Sequence, residues 1–261
     1  MALKNTSELW DSGWSNRKVS AEEDAYNLLK EERSVRFQRI EKIIAERFKS
    51  LSGLKAIEIG AGAGTNAALL AKRGLDITIL DYSESALSRS REMFARNALK
   101  AEFVHEDALN LSAGLLGKFD VSMSFGLSEH FTGERRLQIN KSHFDLLKKG
   151  GVAFISVPNS LNLPYRIHKF ASEALGWWTV GEEYPFTRGE LKDICRKIGV
   201  EKYLFLGDSL WSSLYFISPA RLMRKIFKTG QNFSCDAIRT EKGTSMDEYL
   251  SYALVLCAFK D

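Results

Sequence analysis

The chain has 261 residues, 44% of them hydrophobic, which is enough for one large domain with insertions or two small ones around a real core. A net charge of +4 does not demand an acidic partner, and DNA is not expected. Three scattered cysteines, Cys195, Cys235 and Cys257, show no disulfide framework or zinc spacing, and with no apolar leader or membrane-length stretch they lead us to expect a cytoplasmic protein.

The first 20 residues are polar but carry Trp10 and Trp14, four apart, on one face of a short helix if that segment is helical. From about residue 21 to 48 the apolar positions Leu28, Leu29, Val35, Ile40, Ile43, Ile44 and Phe48 recur at helical spacing. Strands and helices then alternate. Strands are predicted at 55–59, 76–80, 101–105, 119–125 and 151–157. Helices are predicted after Gly64 and stopping at Gly74, at 83–97 with Ser83 as N-cap, and at 135–150 ending at Gly150. This rhythm predicts an α/β fold with a mostly parallel sheet covered by helices on both faces. After Pro158 it changes. Residues 159–186 form an aromatic-rich insertion, 187–200 a helix with a Thr187/Glu190 capping box, and 201–206 and 252–259 two further strands. The segment 207–251 between them holds a basic amphipathic helix at 218–228, which would allow peripheral membrane contact. The expected organisation is an N-terminal helical segment or lid at 1–50 and one domain at 51–261 with insertions at 159–186 and 207–251.

The first strand ends in "EIGAGAG", with Glu58 two residues before Gly60 and glycines at 60, 62 and 64. A dinucleotide turn needs a glycine where Thr65 stands. A carboxylate at Glu58 would repel a pyrophosphate but attract an ammonium and a sulfonium. The glycines let backbone approach a ligand closely. S-adenosyl-L-methionine carries both cations and no phosphate, so it is the expected cofactor, with S-adenosyl-L-homocysteine as product. Asp81, at the end of the second strand, is placed to accept ribose hydroxyls. Asp107, after the third strand, is placed to accept the adenine amino group, and Phe125, at the end of the fourth, to cover the adenosine. Ala61, Tyr82 and Ala108 flank these positions and complete the expected cofactor set.

With these residues assembled, the chain resembles the class I S-adenosylmethionine-dependent methyltransferases over about residues 36–205 and the terminal strand. "IEIGAGAG", "ILDYS", "HEDAL", "FDVSMSFGLSEHF" and "LLKKGGVAFISVPN" stand where that superfamily has its glycine turn, ribose acid, adenine acid, fourth strand and fifth strand. The resemblance implies a Rossmann-like seven-stranded sheet whose last strand is antiparallel and lies between the fifth and sixth. "FDVSMSFGLSEHF" looks most like the ubiquinone-biosynthesis O-methyltransferases and their uncharacterised relatives. They also carry Glu-His after the fourth strand and Pro-Asn after the fifth, as Pro158–Asn159 do here. They often have an acidic residue where this chain has Gly126. In that subgroup an arginine of the N-terminal helix often binds the cofactor carboxylate, and Arg36 is the nearest match.

Methyl transfer from a sulfonium chiefly needs alignment and exclusion of water. A hydroxyl or amine acceptor also benefits from a base, and histidine is suited to that at neutral pH. His130, just past the fourth strand, is the candidate base, and Glu129 its orienting or charge-compensating partner. His143 reads as a packing or surface residue and His105 as structural, and His168 lies in the aromatic insertion. No metal ligand set is predicted. The expected function is methylation of a small-molecule acceptor at O or N. An RNA or protein methyltransferase, a non-catalytic cofactor-binding module and a nicotinamide-dependent oxidoreductase are the alternatives, the last disfavoured by Glu58 and Thr65. The oligomeric state is left open.

Overall fold

The computed structural model describes residues 5–227 and 233–261. Seven strands form one sheet: β1 (Lys55–Ile59), β2 (Asp76–Asp81), β3 (Glu102–His105), β4 (Phe119–Phe125), β5 (Leu147–Pro158), β6 (Lys202–Gly207) and β7 (Ala253–Phe259). Their order is β3-β2-β1-β4-β5-β7-β6. β1 through β5 pair in parallel, and β7 runs antiparallel to both β5 and β6. The strand order reverses between β1 and β4, and a crevice opens at the carboxyl ends of these strands. The central strands are buried on both faces, which is why they read as continuous apolar runs rather than alternating ones.

The helices are α1 (Ser7–Ser15), α2 (Ala21–Glu32), α3 (Val35–Phe48), α4 (Thr65–Lys72), α5 (Glu84–Arg96), α6 (Gly133–Leu146), α7 (Leu163–Ala174), α8 (Arg188–Ile198), α9 (Leu210–Ser213), α10 (Pro219–Phe227) and α11 (Asp247–Leu250). The helical stretch expected at 21–48 is two helices. Ser34 turns extended between them, and its hydroxyl accepts the Phe37 N–H at 3.1 Å, so it caps α3 rather than continuing α2. Ser83 and Thr187 cap α5 and α8 as expected. The helix expected at 135–150 stops at Leu146. Leu147 already pairs with Phe119, and an irregularity in register absorbs the residues that follow. Lys228, at the end of the expected basic helix, lies outside the described residues.

A lid boundary at residue 50 is not where the packing breaks. Leu28, Phe37, Ile40 and Ile44 share one core cluster with Ala56, Ile79, Val121 and Phe154. α2 and α3 are thus part of the sheet's cover, while α1 lies outside that cluster, packed against α5 and the glycine turn beside the crevice. The segments 159–186 and 207–251 are tied together beyond the carboxyl edge. Asn159 donates to the Tyr249 and Ser251 carbonyls at 2.8 and 3.1 Å, and Asn162 to the Leu250 carbonyl at 2.7 Å. Among the described residues no helix is long and apolar enough to cross a membrane.

Candidate active site

A cavity of about 920 Å³ occupies the crevice. Its floor comes from the ends of β1, β2 and β4. Gly60, Gly62 and Gly64 all have positive φ (60°, 53° and 69°), so the backbone arcs outward before α4 begins. The turn is tightly covered. A Cβ on Gly60 would stand 2.7 Å from Leu127, and one on Gly62 would collide with the Trp14 indole of α1. Leu127 and Trp14 are thus contacts that the glycine spacing alone did not reveal.

Glu58 is buried, and its carboxylate accepts the Ala67 N–H at the start of α4 at 2.8 Å. Burial pushes its pKa up to about 8 against that hydrogen bond. Asp81 accepts the Gly62 N–H at 3.1 Å and the Ser83 N–H at 3.0 Å, so one carboxylate braces both the glycine turn and the start of α5. Burial raises its pKa as well. Asp107 accepts the Leu109 N–H at 2.9 Å in its own turn and faces the cavity beside Ala108. Ala61, Tyr82 and Phe125 also line it. Arg36 lines it too, 4.9 Å from the Phe125 ring centre, but Glu31 already engages its guanidinium at 2.7 and 2.8 Å. Neither Glu31 nor that pairing was anticipated. Asn66, also unanticipated, turns into the cavity with its Oδ1 buried and lacking a hydrogen-bond partner. This acceptor-rich lining of Glu58, Asn66, Asp81 and Asp107 suits a cationic ligand bearing ribose hydroxyls and an amino-purine.

His130 ends a short 3-10 turn at Ser128–His130, past β4. Its Nδ1 lies 2.8 Å from the Glu182 carbonyl, which can only accept, so Nδ1 carries the proton and Nε2 keeps its lone pair. Burial holds its pKa below the ordinary histidine value, with the Glu182 carbonyl opposing. The Trp10 ring meets the imidazole edge-on at 4.7 Å, and Asn5 donates to both the His130 and Glu182 carbonyls at 3.0 and 2.9 Å. α1 therefore closes one side of the base.

Glu129 is fully buried, with Oε2 lacking a hydrogen-bond partner. Burial, and then the nearby charge of Glu183, raises its pKa well above the carboxylate range. The group that holds the His130 ring is the Glu182 carbonyl, so the orienting role expected of Glu129 falls to the insertion instead. Glu129, His130 and Glu183 bring one donor atom each within 4.8 Å of one another, a set of donor types that a divalent ion can use. His143 is buried inside α6, bonded to the Ile139 carbonyl and to Ser124 Oγ at 2.8 Å each, with its pKa lowered by burial to about 4. It is structural, as is His105, which bonds the Tyr82 carbonyl at 2.8 Å.

The far wall comes from the insertions. Phe216 and Tyr252 line the cavity with their rings 4.7 Å apart, and Tyr165 packs behind both at 5.8 and 5.0 Å. Arg221 of α10 reaches over Phe216 and donates to His168 Nε2 at 3.1 Å. Ser212 and Ser213 of α9 and its N-cap Ser209 complete this wall. It belongs to a segment whose role the sequence did not disclose.

Residues 56–151 match the model of a methyltransferase domain family. The chain is 26% identical over 178 residues to a ubiquinone biosynthesis O-methyltransferase of Aromatoleum aromaticum, covering 63% of this chain and 71% of that protein. It is 28% identical over 116 residues to the protein of that name in Escherichia coli O7:K1, about half of either chain (44% and 48%). Among solved structures, magnesium protoporphyrin IX methyltransferase from Synechocystis with bound S-adenosylhomocysteine superposes with a TM-score of 0.55 at 14% identity, over 97% of this chain and 93% of that one. A protein described with the conversion of a disulfide bond into a thioacetal group during echinomycin biosynthesis superposes with a TM-score of 0.56 at 21% identity, over 87% and 82%. The glycine turn, the antiparallel β7 between β5 and β6, and these likenesses agree: residues 56–151 match a methyltransferase domain, the sheet has the fold of the class I S-adenosylmethionine-dependent methyltransferases, and S-adenosylmethionine is the cofactor.

Proposed function

We propose that the protein transfers a methyl group to a hydroxyl or amine of a small aromatic or lipidic molecule, with His130 as the base. The observation that carries this reading is the free Nε2 of His130, on the rim of the cavity that also holds Glu58, Asn66 and Asp81. S-adenosylmethionine supplies an electrophilic methyl on a sulfonium that leaves as a neutral thioether. In this reading Glu58 and Asn66 hold the ammonium, Asp81 the ribose, and Asp107 and Ala108 the adenine, with Phe125 against it. Trp10, Trp14 and Leu127 exclude water. His130 takes the acceptor's proton at Nε2, and the Glu182 carbonyl keeps Nδ1 protonated so that Nε2 points to the acceptor. Phe216 and Tyr252 offer the acceptor an aromatic wall. The O-methyltransferase names of the relatives favour oxygen over nitrogen as the acceptor atom. The test is transfer of a labelled methyl from S-adenosylmethionine into metabolite and lipid extracts. Label appearing only in RNA or protein, or nowhere although the cofactor binds, defeats it.

The roof favours an acceptor taken from a lipid surface. Leu163, Phe170, Trp211, Ile226 and Phe227 are all more than half exposed on α7, α9 and α10. Residues 209–235 contain no acidic side chain, while α10 carries Arg221 and Arg224. An apolar face edged by cations suits an anionic bilayer. Co-sedimentation with phosphatidylglycerol vesicles, but not with phosphatidylcholine vesicles, is the expected result.

A further inference from the structure

A second cavity, of about 460 Å³, lies behind α1, between the turn at residues 15–19 and α5. Ser85, Ser88, Arg89, Glu92 and Arg96 line it from α5, at three- and four-residue steps along one helical face. Arg17 and Lys18 line it from the facing turn. Four cations thus surround a space with one lining carboxylate. Arg89 is the unusual member. It is 5% exposed, yet its Nε and Nη1 have no hydrogen-bond partner. Its Nη2 is engaged by Asp24. The other Asp24 oxygen accepts from Arg96 at 2.7 Å, so that carboxylate is shared between two guanidinium groups and makes no bond to Arg89 Nε or Nη1. Glu92, at 3.6 Å, also faces Arg96 rather than Arg89. A buried guanidinium with unmet N–H groups is costly unless an acceptor completes it.

We propose that this cavity binds a phosphate-type oxyanion, free or carried by a small phosphorylated metabolite, through Arg89, Lys18 and the Ser88 hydroxyl. Such a group presents several acceptor oxygens and up to two charges, which match orphaned guanidinium N–H groups, an ammonium and a hydroxyl. The site also has a route to the cofactor crevice. Trp14 and Arg17 line both cavities, and Trp14 packs on Gly62. An anion bridging Lys18 to α5 anchors the end of α1 and with it the indole over the glycine turn, so the two ligands reinforce each other.

The test is calorimetric titration of the full chain with inorganic phosphate at constant ionic strength, with and without saturating S-adenosylhomocysteine. Saturable single-site binding is expected, tighter in the presence of S-adenosylhomocysteine and weakened at least tenfold in Arg89→Gln. Because a change at a buried arginine can disturb folding, Lys18→Glu and Ser88→Glu, both at exposed positions, provide the second measurement and should show the same loss with unchanged thermal stability. Glycerol 3-phosphate binding more tightly than phosphate assigns the site to a phosphorylated metabolite, and equal affinity to the free ion. Absence of saturable heat, or equal affinity in wild type, Lys18→Glu and Ser88→Glu, overturns the site. Equal phosphate affinity with and without S-adenosylhomocysteine overturns the coupling.

Discussion

The two sides of the crevice are built by different means. The cofactor side comes from one continuous run, β1 to β4. There most functional groups are backbone in a glycine turn or a carboxyl at or just past a strand end, joined by Asn66 from the first turn of α4 and the Phe125 ring, and adjacent parallel strands bring those ends together. The opposite side, which we propose receives the acceptor, comes from α1, the 3-10 turn and the segments 159–186 and 207–251, distant in sequence and joined by side-chain bonds such as those of Asn5, Asn159 and Asn162. The first side is specified by a motif. The second is specified by packing, so it can diverge without disturbing the first, which fits one fold serving many acceptors.

The largest expected effect separates the two sides. His130→Ala should lower kcat by about 10²–10⁴-fold, the range for a positioned general base, and leave S-adenosylhomocysteine affinity nearly unchanged by calorimetry. The acid limb of the wild-type kcat profile should fall below the ordinary histidine value of 6.5, because burial disfavours the imidazolium. Normal turnover in the variant would move the base elsewhere. Asp81→Ala should do the reverse. It should weaken cofactor binding by roughly 1.5–3 kcal/mol, about 10- to 150-fold, with little change in acceptor KM. A comparable loss on the acceptor side would show that the halves are not separable.

A third effect reads the buried carboxyl directly. Glu58 titrates near 8 in the folded protein against 4.5 for the free group, so the folded state holds the extra proton between those values. Stability must then fall as pH rises through that window, by at most about 1.4 kcal/mol per pH unit from this group. Denaturant unfolding of Glu58→Gln should show a shallower decline from pH 5 to 8. Parallel curves would mean that the carboxyl is ionised throughout. The smallest effect is expected on the roof. Phe227→Ser, at an exposed position, should change stability by no more than about 0.5 kcal/mol and leave turnover of a soluble acceptor intact while reducing vesicle binding. A loss of folding would show that the α10 face is core rather than surface.

The glycine spacing, the acid ending β2, the acid just past β3 and the alternation of apolar runs are legible in the sequence, because each follows a local rule about backbone conformation or strand ends. Even β7 could be placed, though only through resemblance, since nothing in a seven-residue apolar strand announces its direction. The break at Ser34 was visible as a residue type but hidden by apolar spacing that ran past it; the hydroxyl's bond to Phe37 decided it. Asn66 was missed because an asparagine in the first turn of a helix reads as ordinary.

By itself, then, the chain determined the cofactor turn and the sheet, whose groups lie within a few residues of a strand end and are aligned by backbone geometry. Tertiary structure alone decided which atom holds His130, where Trp14 lies and how the segments 159–186 and 207–251 are tied together. The Glu182 carbonyl stands 52 residues from that imidazole, and a contact across such a distance depends on how every intervening element packs.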